Sequence, residues 1–312
     1  MRAFIFPGQG SQAVGMGAAL AQASRTAQDV FDEVDEALGQ NLFRLMREGP
    51  DDELKLTENA QPAIMAHSMA VFRALTKEGG VSLAKAGKFV AGHSLGEYSA
   101  LCAAGSFDLP TTAKLLKLRG QAMQHAVPVG QGAMAALLGA DLALAQKIAD
   151  AASQGEVCTV ANDNDPSQVV ISGHKTTIDR AIEMAKQMGA KRAVPLPVSA
   201  PFHCPLMQPA ADAMQDALSY VVLDTPAVPV FANVTAAPET DPDTIRNQLV
   251  EQVTGMVRWR ESVANMADAG VEEFVEIGGK VLGPMVKRIA PDARVTSVVT
   301  IEDIESLAKE IA

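Results

Sequence analysis

The spacing of apolar positions changes several times along the chain, and each change marks an element. Ala3 to Phe6 is a short continuous apolar run cut off by Pro7-Gly8, the pattern of a buried strand entering a loop. Helical spacing follows over residues 16–23 and over the acidic stretch 29–38, before a polar segment around Gly49-Pro50-Asp51-Asp52. Gln61-Pro62 opens a long helix carrying Ile64, Met65, Val71, Phe72 and Leu75, with the proline in its first turn. Gly79-Gly80 ends it. Phe89-Val90-Ala91 reads as a second buried strand, residues 97–104 as a helix free of Gly and Pro, and residues 110–126 as another helix.

Between Pro128-Val129-Gly130 and Pro195-Leu196-Pro197 the order becomes strand (134–138), helix (142–152), strand (157–161), strand (169–172), helix (176–188), strand (192–196). This βαββαβ succession is the ferredoxin-like unit, so residues 129–198 are expected to form a small inserted domain, with 1–128 and 199–312 making a larger one. After it come a helix over 206–220 and strands over 228–233, 273–277 and 295–299. These alternate with helices over 242–253, 261–269 and 281–289, and a short amphipathic helix over 302–311 closes the chain. Strands that alternate with helices predict an α/β fold with a largely parallel sheet flanked by helices.

Composition narrows the function classes. The 312 residues are 48% apolar, 20% charged and 4% aromatic, as in a globular enzyme with a large core. The formal net charge of −11 argues against nucleic acid or an anionic membrane as the main partner. No run is long and apolar enough for a membrane span or a signal peptide. Cys102, Cys158 and Cys204 are odd in number and lack metal-ligand spacing, which suits free thiols in a reducing compartment; the expected location is the cytoplasm. No metal or cofactor is expected.

Gly92-His93-Ser94-Leu95-Gly96 carries the clearest chemistry. It matches the G-x-S-x-G nucleophile elbow, and the strand before it and helix after it are the context that motif demands. In the helix over 110–126, Arg119 falls in the centre of the apolar face formed by Leu115, Leu116, Ala122, Met123 and Ala126. A guanidinium on an inward face needs either an anionic ligand or a buried salt bridge. Of the five histidines, His67 and His125 lie on helices, His93 inside the elbow and His174 at a turn in the small unit. His203 lies in Ser199-Ala200-Pro201-Phe202-His203-Cys204-Pro205, where prolines hold the loop rigid. Elimination makes His203 the candidate general base, the alternative being a loop histidine that caps the next helix. The glycine-rich Pro7-Gly8-Gln9-Gly10-Ser11-Gln12 follows the first strand without a Walker A lysine, and by itself reads as a strand–helix turn. No acid between Ser94 and His203 has a convincing context, so a dyad stands beside a triad. Together these residues imply nucleophilic acyl transfer involving a substrate that carries an anion.

The same segments, with Val257-Arg258-Trp259, closely resemble the malonyl-CoA:acyl carrier protein transacylase family, in order along the whole chain. The resemblance implies a hydrolase-like α/β domain with a ferredoxin-like insertion. It also implies roles: Ser94 as nucleophile, His203 as base, the backbone N–H groups of Gln9 and Leu95 as the oxyanion hole, and Arg119 as the partner of the malonyl carboxylate. The backbone carbonyl of Gln252 would orient His203 in place of a triad acid, and Gln12, Gln61, Asn162 and Phe202 would line the pocket. The expected substrates are malonyl-CoA and a holo acyl carrier protein, the coenzyme A thioester being substrate rather than cofactor. A chain that starts at Met1 without linker sequence fits a dissociated, bacterial type of fatty-acid synthesis. A serine thioesterase using the same dyad is the rival reading. Gly278-Gly279-Lys280-Val281-Leu282 is one residue shorter than the family's usual loop, and Phe202 stands where many free-standing members have serine. Because the carrier would be acidic, a local basic face is expected, with Lys191, Arg192, Lys280, Lys287 and Arg288 as candidates and scattered solvated charges as the alternative.

Overall fold

The computed structural model describes residues 1–198 and 200–311. It opens with the buried strand β1 (Arg2–Phe6), followed by α1 (Ala18–Ala23) and α2 (Arg25–Leu38). The helix expected from residue 16 starts two residues later because Gly17 turns to φ +80° beneath the Phe31 ring, where a Cβ would lie 2.7 Å from that ring. Ser24 caps α2 by accepting a hydrogen bond from the Ala27 N–H, and Val30, Phe31 and Val34 turn inward. The polar segment expected near Gly49 is instead flanked by two short helices, α3 (Leu42–Glu48), anchored by buried Leu42 and Leu45, and α4 (Asp51–Lys55), anchored by buried Leu54.

The long helix α5 (Thr57–Lys77) begins earlier than Gln61-Pro62 predicts, so Pro62 lies within it rather than in its first turn. An interior proline removes one backbone hydrogen bond and is ordinarily costly. Here nearly every residue from Thr57 to Leu75 is buried, and tertiary packing overrides the local signal. A single turn, α6 (Leu83–Ala86), leads into β2 (Phe89–Gly92), α7 (Gly96–Ala103) and α8 (Leu109–His125), the last capped by Asp108.

The chain then builds a second sheet from β3 (Gly132–Leu138), α9 (Leu142–Ser153), β4 (Cys158–Asp165), β5 (Gln168–His174), α10 (Lys175–Met188) and β6 (Arg192–Pro195). Its order is β4-β5-β3-β6 with every pair antiparallel, the ferredoxin-like arrangement that the βαββαβ pattern predicts. Leu137, Ile148, Ile171 and Ile178 give it a core of its own. β4 continues past the expected end at residue 161, because Asn162, Asp163, Asn164 and Asp165 are buried against the rest of the molecule.

Ser199, the first residue of the loop read from sequence, lies outside the described residues. After a 3-10 turn at Pro205–Met207 the chain forms α11 (Gln208–Ser219), β7 (Val230–Phe231), β8 (Pro238–Glu239), α12 (Pro242–Thr254) and α13 (Trp259–Asp268). It ends with β9 (Glu273–Ile277), α14 (Gly283–Ile289), β10 (Arg294–Val298) and α15 (Ile301–Ile311). The main sheet runs β10-β9-β1-β2-β7-β8 and is parallel except at the β7–β8 edge. β7 keeps only two of the residues expected over 228–233, since the chain leaves the sheet in time for Asn233 to reach the loop after β2. α14 starts at Gly283 rather than at residue 281. The buried Glu276 carboxylate accepts from the N–H groups of Val281, Leu282 and Gly283 at 2.7, 2.9 and 2.9 Å, satisfying donors at the helix entrance and tying down the loop over 278–282. The carboxyl ends of β1 and β2 open between the two sheets, where α/β proteins place their sites.

Candidate active site

The turn from β2 to α7 carries Ser94 at φ +54°, a left-handed backbone that a serine rarely adopts. Its flanking glycines are a steric requirement. A Cβ on Gly92 would lie 1.9 Å from the Gly96 backbone, and one on Gly96 would lie 2.3 Å from the Phe6 carbonyl oxygen. Asn233 holds the turn from the side: the Ser94 N–H donates to its Oδ1 at 2.8 Å, and its Nδ2 donates to the Gly92 carbonyl at 2.7 Å.

His203 also has a left-handed backbone, at φ +57°, and its ring enters the cleft with Nε2 2.8 Å from Ser94 Oγ. Nδ1 lies 2.8 Å from the Gln252 carbonyl oxygen. A carbonyl can only accept, so Nδ1 carries the proton and Nε2 presents its lone pair to the serine hydroxyl. This is the tautomer a general base needs. Burial, and then the nearby Arg119 charge, push the imidazole down to about 3, so the ring stays neutral across the physiological range.

Arg119, on α8, is 1% exposed. Its Nη1 donates to Gln61 Oε1 at 2.8 Å, and its Nη2 donates to Gln252 Oε1 at 2.9 Å and to Ser94 Oγ at 3.2 Å. Its Nε has no partner among the described residues, and no carboxylate lies within 4 Å of the guanidinium among them. The buried salt bridge that sequence left open is therefore not what holds this arginine. Neutral amide oxygens and the Tyr98 ring face, 5.8 Å away, do so instead.

These groups face a cavity of about 410 Å³ whose lining includes Gln9, Gln12, Gln61, Leu95, Asn162 and Phe202 as well as Ser94, Arg119 and His203. Gln12 folds back so that its Oε1 accepts from the Gly10 N–H at 2.8 Å, stiffening the glycine loop. Gln252 lies underneath, fully buried. His93 turns away from the serine: its Nε2 meets Asn164 Oδ1 at 2.8 Å and its ring packs edge-on against Trp259, linking the elbow to β4. His67 is buried with Nδ1 on the Gly278 carbonyl oxygen at 3.1 Å, as a packing histidine should be.

Sequence reasoning missed three contributors: Asn233, Asn164 and Glu97. Glu97 sits wholly buried below the elbow, where its Oε2 accepts from the Asn233 N–H at 3.1 Å and from Gln252 Nε2 at 2.8 Å. Burial pushes its carboxyl up to about 7 against those hydrogen bonds and the Arg119 charge. A lone acid in the otherwise uncharged helix over 97–104 was the available signal, since a carboxylate on such a helix needs partners to be buried.

The expected basic face divides. Lys191, Arg192, Lys280, Lys287 and Arg288 are all exposed. Arg288, however, is committed to Asp165 at 2.8 Å, and Lys287 donates to the Ala293 carbonyl at 2.7 Å. Lys191, Arg192 and Lys280 make no salt bridge among the described residues.

A nucleophile elbow, a carbonyl-oriented histidine and an arginine facing the same cavity on this fold define an acyl transferase, and the family model for the acyl transferase domain matches residues 3–282. Within that class the chain belongs to the malonyl CoA-acyl carrier protein transacylases. It is 47% identical over 288 residues to the enzyme of that name from Escherichia coli K12, covering 92% of each chain. An acyl-carrier-protein-S-malonyltransferase structure from Bartonella henselae superposes with a TM-score of 0.97 at 51% identity, covering 99% of both chains. A malonyl-transacylase solved in complex with its type II PKS acyl-carrier protein superposes with a TM-score of 0.95 at 40% identity, again over 99% of both.

Proposed function

We propose that the chain moves a malonyl group from malonyl-CoA to the phosphopantetheine thiol of a holo acyl carrier protein through a malonyl ester on Ser94. The observation that carries this reading is the shared position of three groups: the Ser94 hydroxyl lies 2.8 Å from His203 Nε2 and 3.2 Å from Arg119 Nη2. A hydrolase acting on neutral acyl groups has no use for a desolvated cation beside its nucleophile, whereas a malonyl carboxylate does.

Ser94 Oγ attacks the thioester carbonyl as His203 Nε2 takes its proton. The oxyanion receives the backbone N–H groups of Gln9 and Leu95, which flank the nucleophile in the cavity wall. Collapse of the intermediate breaks the C–S bond, and the departing sulfur takes the proton back from His203 to leave free coenzyme A. The carrier thiol then enters, gives its proton to His203 and attacks the ester carbonyl. Collapse now breaks the ester bond, returning the serine hydroxyl and releasing the malonyl-carrier thioester. Arg119 holds the malonyl carboxylate in both halves, and the Gln252 carbonyl keeps His203 in its working tautomer. Gln12, Gln61, Asn162 and Phe202 shape the acyl pocket.

Every group the cycle needs comes from the chain, so it runs without a cofactor. Residues 1–128 with 199–312 act as the catalytic domain and residues 129–198 as the second wall of the cleft. The carrier approaches the exposed Lys191, Arg192 and Lys280, with Lys287 and Arg288 at the margin of that face. Three buried free thiols, a net charge of −11 and, among the described residues, no helix long and apolar enough to cross a membrane support work in the cytoplasm.

Intact-mass measurement after brief mixing with malonyl-CoA, followed by peptide mapping, tests the reading. The expected result is one malonyl adduct on Ser94 that a holo carrier protein discharges far faster than water does. Equal discharge by water would make the chain a thioesterase, and no adduct would remove the mechanism.

A further inference from the structure

Gln252 does two separate jobs with two separate ends. Its backbone carbonyl orients His203, while its side-chain oxygen accepts from Arg119 Nη2 at 2.9 Å. An amide can present either its oxygen or its nitrogen, and only the oxygen suits a guanidinium, which can do nothing but donate. What sets the choice lies on the far side of the amide. Gln252 Nε2 donates to the Ser94 carbonyl at 3.0 Å and to Glu97 Oε2 at 2.8 Å, two acceptors that would repel an amide oxygen. Glu97 is itself fixed, because the same oxygen accepts from the Asn233 N–H and Asn233 holds the elbow. Glu97, Arg119, Asn233 and the Gln252 side chain are buried, where an amide turned the wrong way would lose its hydrogen bonds without replacement by water.

We infer that Glu97 is a positioning residue for malonyl recognition: by fixing which way the Gln252 amide faces, it sets where the Arg119 guanidinium sits beside Ser94. Glu97 touches neither substrate nor nucleophile side chain. It also stands one residue away from the arginine, so that a neutral amide oxygen makes the direct contact and the cation stays available to an incoming carboxylate. The link is continuous from Glu97 Oε2 through the Gln252 amide to Arg119 Nη2, with every step a hydrogen bond of 2.9 Å or less. The inference rests on the malonyl-transfer reading above.

The test compares Glu97→Gln, which can leave an acceptor oxygen where Oε2 stands, with Glu97→Met, which keeps the length and removes the acceptor. Loading of Ser94 from malonyl-CoA and from acetyl-CoA is measured for each, with KM and kcat separated. Glu97→Met is expected to raise the malonyl-CoA KM about tenfold or more while acetyl loading stays within about twofold, and Glu97→Gln to behave like the parent. Gln252→Met cuts the same link from the other side while keeping the backbone carbonyl, and is expected to raise the malonyl-CoA KM by a clearly larger factor than the acetyl-CoA KM. It decides the matter if Glu97→Met does not fold. Unchanged discrimination in the Met variants, or an equal fall for both acyl groups, would overturn the inference. A parent protein that does not itself prefer malonyl-CoA would instead overturn the functional reading.

Discussion

Two regions of this molecule hold arginines against buried polar groups, and they do it in opposite ways. Along the seam between the sheets, β4 offers Asp163 and Asp165, whose side chains are 1% and 0% exposed. Arg260 and Arg288 meet them at 2.8 Å from the partly exposed side. In the chamber below the elbow the burial is reversed: Arg119 is the buried partner, and it meets Gln61 Oε1, Gln252 Oε1 and Ser94 Oγ. A carboxylate satisfies a guanidinium and ends its availability. An amide oxygen satisfies the hydrogen-bond geometry while leaving most of the charge uncompensated. The seam thus has its arginines matched by carboxylates, whereas the chamber keeps a guanidinium that meets only neutral oxygens.

The comparison is broken most severely by removing the chamber's cation. Arg119→Ala is expected to lower kcat/KM for malonyl-CoA by roughly 10² to 10³-fold, with acetyl loading much less affected, as steady-state transfer assays would record. Gln61→Glu makes the chamber resemble the seam by placing a carboxylate where Nη1 now finds an amide oxygen. The malonyl-CoA KM should rise about tenfold and the protein should keep or gain thermal stability. Arg260→Ala attacks the seam instead. Asp163 then loses its partner in a buried setting, and chemical denaturation should show a loss of about 2 kcal/mol, a figure reduced because Arg260 is itself one-third exposed; malonyl-over-acetyl preference should not change.

Changes of pH act on the chamber without altering its residues. His203 titrates near 6.5 when unfolded and near 3 when folded, so the folded state binds fewer protons between those values. Its contribution to stability falls as pH drops below 6.5. The acid limb of acetyl loading should accordingly fall well below pH 6.5. Glu97, faced by the ionisable Arg119 and Tyr98, has the opposite sign. Its folded value of about 7 exceeds the ordinary 4.5, and stability present below pH 4.5 is lost as pH rises towards 7. Stability curves of Glu97→Gln should therefore rise more steeply between pH 4.5 and 6.5 than those of the parent.

What could be read in the sequence was whatever is written locally. The strand–glycine–serine–glycine–helix succession around Ser94, the single arginine on an apolar helix face and the proline-bounded His203 loop all lie within short windows, and so does the alternation that predicts the second sheet. Contributors that act across long separations were not legible. Asn233 reaches the Ser94 N–H from 139 positions away, and Glu97 meets Gln252 across 155. Nothing near either residue announces the partner. The same physics explains the misplaced boundaries. Pro62 marks a helix start by local preference, but burial along α5 carries the helix past it. β4 runs on through Asn162–Asp165 because its polar side chains find arginines and His93 in elements far along the chain.

The uncompensated guanidinium has a consequence for the life of the protein between reactions. The malonyl ester that the proposed cycle forms on Ser94 would bring a carboxylate to that guanidinium, and the loaded protein would then be harder to unfold than the empty one. Supply of the acyl donor then acts on the protein as well as through it.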